Sequence, residues 1–253
     1  MFSRYVAIGD SSTEGLDDPD GAGSWRGWAD RLAVQVSGTS PGLLYANLAV
    51  RGRLVAQVRA EQLPRALELQ PDLATVFAGV NDLLRPSCKL DVVLADVEAL
   101  LAALVGVGAT VLTLTVPDTT RVMPIARPLR ARMSAFNEGV RRAAARTGAL
   151  VADVGAYPVA GDPRLWSADR LHANALGHER IAAALADALG LPGTTSDWRQ
   201  PLPAPASRRR HEVARAEAVW LRTHFAPWLN RRLHGQSSGD GVTAKRPDYG
   251  PIS

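Results

Sequence analysis

Residues 9–15 read GDSSTEG and follow directly on the short apolar run RYVAI. Gly, Asp and Ser are poor strand residues and good turn residues. The stretch therefore ends a strand and presents hydroxyls and carboxylates at the turn. A serine hydroxyl becomes a nucleophile when a base takes its proton, a third group orients that base, and donors await the oxyanion. The chain offers all four parts. Ser11 is the candidate nucleophile. Asp169 and His172 stand three apart in DRLH, close enough to share one turn as orienting carboxylate and base. Gly52, in RGR, can bring its backbone N–H close to a substrate because no side chain intervenes. Asn81, in GVND, carries an amide NH2. Asp10 reads as the brace of the turn that presents Ser11, and Asp82 as the brace of the Asn81 loop.

Other residues compete for these roles. Ser12 is an adjacent hydroxyl, and Ser40 lies in GTSPG, which formally fits G-x-S-x-G. A nucleophile elbow runs strand, turn, helix. Around Ser40 a helical pattern precedes, a strand pattern follows and Pro41 adjoins, so the segment reads as a connection. His178 lies six residues after His172, but no third ligand stands near, so it reads as structural at the start of a helix. No metal or cofactor is expected. Trp25, Trp28, Tyr157 and Trp166 read as core or rim packing. The segment 118–128, DTTRVMPIARP, is long enough to shape a pocket, and its Met123 and Ile125 hint at an apolar acyl site.

The elements that must hold these residues alternate. Five β-branched apolar runs occur at 4–9, 43–50, 73–80, 110–117 and 149–155. Amphipathic helical patterns separate them, one with Ser24 as its expected N-cap and another interrupted by Pro64. Strand–helix alternation argues for a parallel sheet covered on both faces, a three-layer α/β/α sandwich. In such sheets sites form beyond the carboxyl ends of the strands. Gly9-Asp10-Ser11, Arg51-Gly52, Asn81-Asp82 and, past a longer loop, Asp169 and His172 all follow such runs.

The 253 residues are 46% hydrophobic and 21% charged, ample for a core. The single cysteine, Cys88, excludes an intrachain disulfide and fits a reducing, cytoplasmic compartment. No signal peptide is visible: Gly9-Asp10 cuts the first apolar run short. Leu100–Val116 carries no charge, yet its glycines at 106 and 108 divide it into a helix end and a strand, not a membrane span. Residues 192–253 hold ten Lys/Arg against five Asp/Glu, while the rest of the chain is close to neutral. The basic character thus belongs to the tail and does not predict nucleic-acid binding. Two units are expected: a domain over 1–191 and an extension over 192–253. The extension divides into a Pro-rich linker, a helix over 208–233 interrupted at Pro227, and an irregular end. The helix carries an apolar set, Val213, Trp220, Leu221, Phe225, Trp228 and Leu229, suited to self-packing, a homodimer contact or peripheral docking.

GDSSTEG, Gly52, GVND and DRLH, in this order over residues 4–190, resemble the SGNH/GDSL hydrolase family. The resemblance implies a five-stranded flavodoxin-like sheet of order 2-1-3-4-5. It implies a serine esterase with Ser11 as nucleophile, Asp169 and His172 as its dyad, and Ser11, Gly52 and Asn81 as the oxyanion hole. Two positions depart from the family's usual pattern: Ser12 follows the nucleophile where an apolar residue is common, and His172-Ala173-Asn174 replaces His-Pro-Asn. Neither removes a catalytic group. The substrate would be a small-molecule, lipid or sugar ester. Acyltransferase, carbohydrate deacetylase and a non-catalytic binding protein on the same fold remain open alternatives.

Overall fold

A computed structural model of the chain describes residues 1–204, 210–234 and 237–252. Strand β1 (Arg4–Gly9) leads through the short α1 (Ser11–Glu14) and α2 (Gly27–Ser37) to β2 (Leu44–Asn47). The helices α3 (Val55–Gln57) and α4 (Leu63–Glu68) precede β3 (Leu73–Phe77). Then come α5 (Val80–Leu83), α6 (Leu90–Gly106), β4 (Thr110–Leu114), α7 (Arg130–Thr147), β5 (Leu150–Ala152) and α8 (Ala175–Leu189). The extension adds α9 (Arg210–Trp220), α10 (Ala226–Leu233) and β6 (Arg246–Pro251). The expected order 2-1-3-4-5 is present and all five strands are parallel. Helix α2 packs on α8 and α6 on α7, so helices cover the sheet.

Three expectations need correction. The sheet has six strands among the described residues, because β6 pairs antiparallel on the free edge of β2. Its text, RPDYGP, holds two prolines and a glycine and reads as irregular. An edge strand tolerates proline because one of its sides makes no ladder bonds. Ser24 does not cap α2. The carboxylate of Asp18 accepts the Gly27 N–H at 3.1 Å, and Nδ1 of His178 accepts the Trp28 N–H at 3.1 Å, so distant side chains satisfy the helix start. The expected helix over 208–233 begins two residues outside the described ones, and α9 passes into α10 through a wide π-type turn over Leu221–Phe225 that absorbs Pro227.

The core is the sheet's two faces with the helices above and below. Tyr5, Ile8, Trp28, Leu73, Leu101, Leu112 and Phe136 are fully enclosed. Leu100–Val116 divides as expected, into the end of α6 and β4. Among the described residues no helix is long and apolar enough to cross a membrane.

The extension is stitched into this core. Trp198 is buried and meets Tyr157 edge-on at 4.9 Å. Nζ of Lys245 donates to the carbonyls of Trp25 and Arg26 and pairs with Asp30 at 2.9 Å. Burial pulls the Lys245 pKa below its ordinary value, with Asp30 opposing. Lys245→Ala strands these acceptors and should cost about 1–3 kcal/mol. The loss is read as a lower urea midpoint at unchanged slope. An unchanged midpoint would mean that the Lys245 contacts add nothing to the fold.

Candidate active site

Neighbouring strands β1 and β3 lead to connections on opposite sides of the sheet, which opens a crevice beyond their carboxyl ends. The candidate residues meet there. Gly9 ends β1, and a Cβ on it would stand 2.2 Å from the Phe77 carbonyl oxygen, so only glycine allows the two strand ends this approach. The side chain of Gln62 clamps the same residue: Gly9 N–H donates to Oε1 and Nε2–H donates back to the Gly9 carbonyl, both at 2.9 Å. Asp10 then caps α1, its Oδ1 accepting the Ser12 N–H at 3.2 Å. Ser11 opens the helix at a fixed place.

The hydroxyl of Ser11 lies 2.9 Å from Nε2 of His172, and Nδ1 of His172 lies 2.6 Å from Oδ2 of Asp169. The Oδ1 of Asp169 accepts from Ser167 Oγ–H at 2.6 Å, Leu171 N–H at 2.9 Å and His172 N–H at 3.0 Å. Burial alone would raise the Asp169 pKa. The bond to His172, its charge and these further donors prevail and hold the carboxyl well below the usual carboxylate range. For His172, burial disfavours the cation, but Asp169 outweighs it, with Asp17 and Asp10 adding, and the pKa rises above its ordinary 6.5. The geometry places Nδ1–H against Asp169 and leaves the Nε2 lone pair toward Ser11.

The other oxyanion candidates follow the carboxyl ends of β2 and β3, the two strands that flank β1. Gly52 has φ +75°, a left-handed turn that suits glycine. Buried Glu14 holds its neighbour, accepting the Arg51 N–H at 2.7 Å and Nε–H at 2.9 Å. Nδ2 of Asn81 donates to the Arg53 carbonyl at 3.1 Å and, through a longer bond of 3.3 Å, to Oδ2 of Asp10. Asp82 accepts the Val55 N–H at 3.1 Å and ties the Asn81 loop to α3. Burial raises the Asp82 pKa, and it pushes Asp10 up to about 7.

The competitors lie elsewhere. The Ser12 hydroxyl accepts from the Trp28 indole N–H at 3.2 Å. Ser40 is buried, before β2, and accepts the Phe2 N–H at 2.9 Å. His178 accepts the Trp28 N–H at Nδ1 and donates Nε2–H to the Leu16 carbonyl at 2.9 Å, which fixes one neutral tautomer. Burial depresses its pKa to about 4. Met123, expected in an acyl site, is buried against Ala126 and Trp220, and Ile125 is exposed. Among the described residues one group has metal-ligand spacing, Asp17, Asp169 and His172. It contains the candidate dyad together with Asp17, and a cation there would have to displace the 2.6 Å hydrogen bond.

Sequence reading missed Glu14, Gln62, Ser167 and Asp17. Ser167 had a local signal, a serine two residues before an aspartate. Asp17 stands 3.8 Å from Nδ1 of His172 through a left-handed backbone, φ +67°. Neither it nor the partners of Glu14 and Gln62 could be paired from sequence.

Residues 7–180 match the family model of the GDSL-like Lipase/Acylhydrolase family. Similar solved structures include LAE5, an alpha/beta hydrolase enzyme from the metagenome of Lake Arreo, Spain. It is 26% identical, with TM-score 0.62, over 75% of this chain and 95% of that one. The acetylxylan esterase Axe2 from Geobacillus stearothermophilus is 20% identical, with TM-score 0.62, over 77% and 97% of the two chains. The psychrotrophic esterase EstA from Pseudoalteromonas sp. is 16% identical, with TM-score 0.59, over 74% and 97%. No curated protein sequence matches this chain.

The two central histidines should titrate apart in an NMR pH series. His172 should gain its proton above pH 6.5, and His178 should stay neutral down to about pH 4. The sign follows for stability. The unfolded chain protonates His178 near 6.5 and the fold refuses the proton, so this group costs stability as pH falls from about 6.5 toward 4. Two histidines titrating together near 6.5 would contradict the assigned environments.

Proposed function

This chain belongs to the GDSL-like lipase/acylhydrolase family, and on that premise we propose that it is a serine esterase working through an acyl-enzyme. The observation that carries the reading is the unbroken chain Ser11 Oγ, His172 Nε2, His172 Nδ1, Asp169 Oδ2, with links of 2.9 and 2.6 Å. It lies where an α/β sheet builds its sites. The residues that carry the proposed chemistry all lie within 1–191.

In this reading Ser11 Oγ attacks the ester carbonyl carbon as its proton passes to Nε2 of His172. Asp169 selects the imidazole tautomer and stabilises the imidazolium. The carbonyl oxygen becomes an oxyanion held by the N–H groups of Ser11 and Gly52 and by the amide of Asn81. The 3.3 Å bond from Asn81 to Asp10 is longer than its 3.1 Å bond to the Arg53 carbonyl and is the one an oxyanion takes over. Collapse of the intermediate breaks the C–O bond, and His172 gives its proton to the leaving alkoxide. Water, deprotonated by His172, then releases the acid and restores Ser11.

A panel of p-nitrophenyl esters from acetate to palmitate tests the activity and reads its acyl preference together. Turnover of at least one ester, without added metal, is expected; none across the panel would end the reading. Asn81→Ala should lower kcat by roughly 10²–10³ with little change in KM. A change in KM alone would make Asn81 a binding residue.

A further inference from the structure

The family match ends at residue 180, well before α9 begins at Arg210, yet the extension meets the site at two places. At the first, the indole N–H of Trp220, the last residue of α9, donates to the backbone carbonyl of Asp169 at 3.1 Å. The Trp220 ring lies under the Arg170 guanidinium, 4.6 Å from its centroid, and Arg170 also pairs with Glu217 at 2.8 Å. Trp220 is 6% exposed and clustered with Met123 and Ala126, with Leu171 and Phe225 against them. At the second place the turn over 237–240 lies on Arg51-Gly52. A Cβ on Gly239 would stand 2.0 Å from the Arg51 carbonyl oxygen.

The first contact bears on the chemistry. Arg170, between the candidate carboxylate and the base, adopts φ +62°. A left-handed residue with a Cβ costs about 1–2 kcal/mol and persists where its surroundings impose it. Here the imposition comes from both sides. Asp169 gathers the N–H groups of Leu171 and His172 on its own side chain, while Trp220 and Glu217 grip Asp169 and Arg170 from outside.

We propose that Trp220 is a positioning residue that holds the Asp169–His172 loop in register with Ser11, so that the C-terminal extension is a working part of the active site. The proposal rests on the esterase reading for its kinetic consequence and on geometry alone for its structural one. Trp220 touches no reacting atom. It acts through the Asp169 backbone, and release of that backbone lengthens the Asp169–His172 hydrogen bond. The groups facing His172 are Asp169, Asp17, Asp10 and the neutral His178, with Arg170 and Glu217 compensating each other outside. Burial opposes the imidazolium and Asp169 supports it, so a slackened Asp169 contact moves the His172 pKa down.

The test uses the full chain with Trp220→Phe, which keeps an apolar ring and removes the N–H donor, beside Trp220→Ala. Leu229→Ser, on the exposed surface of α10, is the control. With p-nitrophenyl acetate, Trp220→Phe should lower kcat on the order of tenfold and Trp220→Ala up to about a hundredfold, with KM changed little. The His172 pKa, read by NMR on the resting protein, should fall in both. Leu229→Ser should match the wild type. Wild-type kcat and an unmoved His172 pKa in Trp220→Phe would overturn the proposal, whether or not Trp220→Ala folds. The NMR reading needs no turnover. A wild type that cleaves no ester would therefore sink the esterase reading alone, and a fallen His172 pKa in Trp220→Phe would still support the positioning role.

Discussion

Asp169 keeps its charge in a largely enclosed place because four donors surround it: the Ser167 hydroxyl, two backbone N–H groups and Nδ1 of His172. The state of His172 follows from that charge. It favours the imidazolium of His172 against burial, and it claims Nδ1, so Nε2 faces Ser11. Other groups of the same types fare differently nearby. Asp10 has a backbone N–H and a long bond from Asn81, and burial pushes it up to about 7. His178 is spent between two backbone groups and stays neutral to about 4. Two carboxylates and two histidines are thus sorted by surroundings, not by residue type.

The sheet makes that sorting possible by bringing distant text together. The carboxyl ends of β1, β2 and β3 deliver the turns bearing Ser11, Gly52 and Asn81 to one crevice. Asp169 and His172 arrive from a later loop, where the Asp169 carbonyl accepts from the Trp220 indole. The extension then works at both margins. Its last strand covers the edge of β2, where unpaired backbone groups would invite association. Its first helix closes against the dyad loop.

The legible parts of this chain are those whose signal is local. Apolar, β-branched runs announced β1 to β5, and the residues after the first three, Ser11, Gly52 and Asn81 with their neighbours, lie at the strand ends that form the crevice. GDSSTEG carried both the turn and its cap in adjacent letters. β6 was not legible, because Arg246–Pro251 has neither alternation nor a β-rich composition and owes its form to the edge of β2. Ser24 looked like a cap by position, but Asp18 and His178 do that work from elsewhere in the chain. Gln62 sits in helical text, Glu14 in a turn and Trp220 in helical text, where an amide, a carboxylate or an indole is ordinary. Their partners lie 53, 37 and 51 residues away, a distance that no local pattern encodes.

The proposed chemistry requires that His172 and Asp169 activate Ser11. A fluorophosphonate, which captures an activated hydroxyl covalently, tests this most directly when the adduct is mapped by peptide mass spectrometry. One adduct is expected, on the peptide bearing Ser11 and assigned to that residue by fragmentation. The adduct should vanish in Ser11→Ala and form far more slowly in His172→Ala. An adduct on Ser12 or Ser40, or labelling at Ser11 that is as fast without the His172 imidazole, would contradict that requirement.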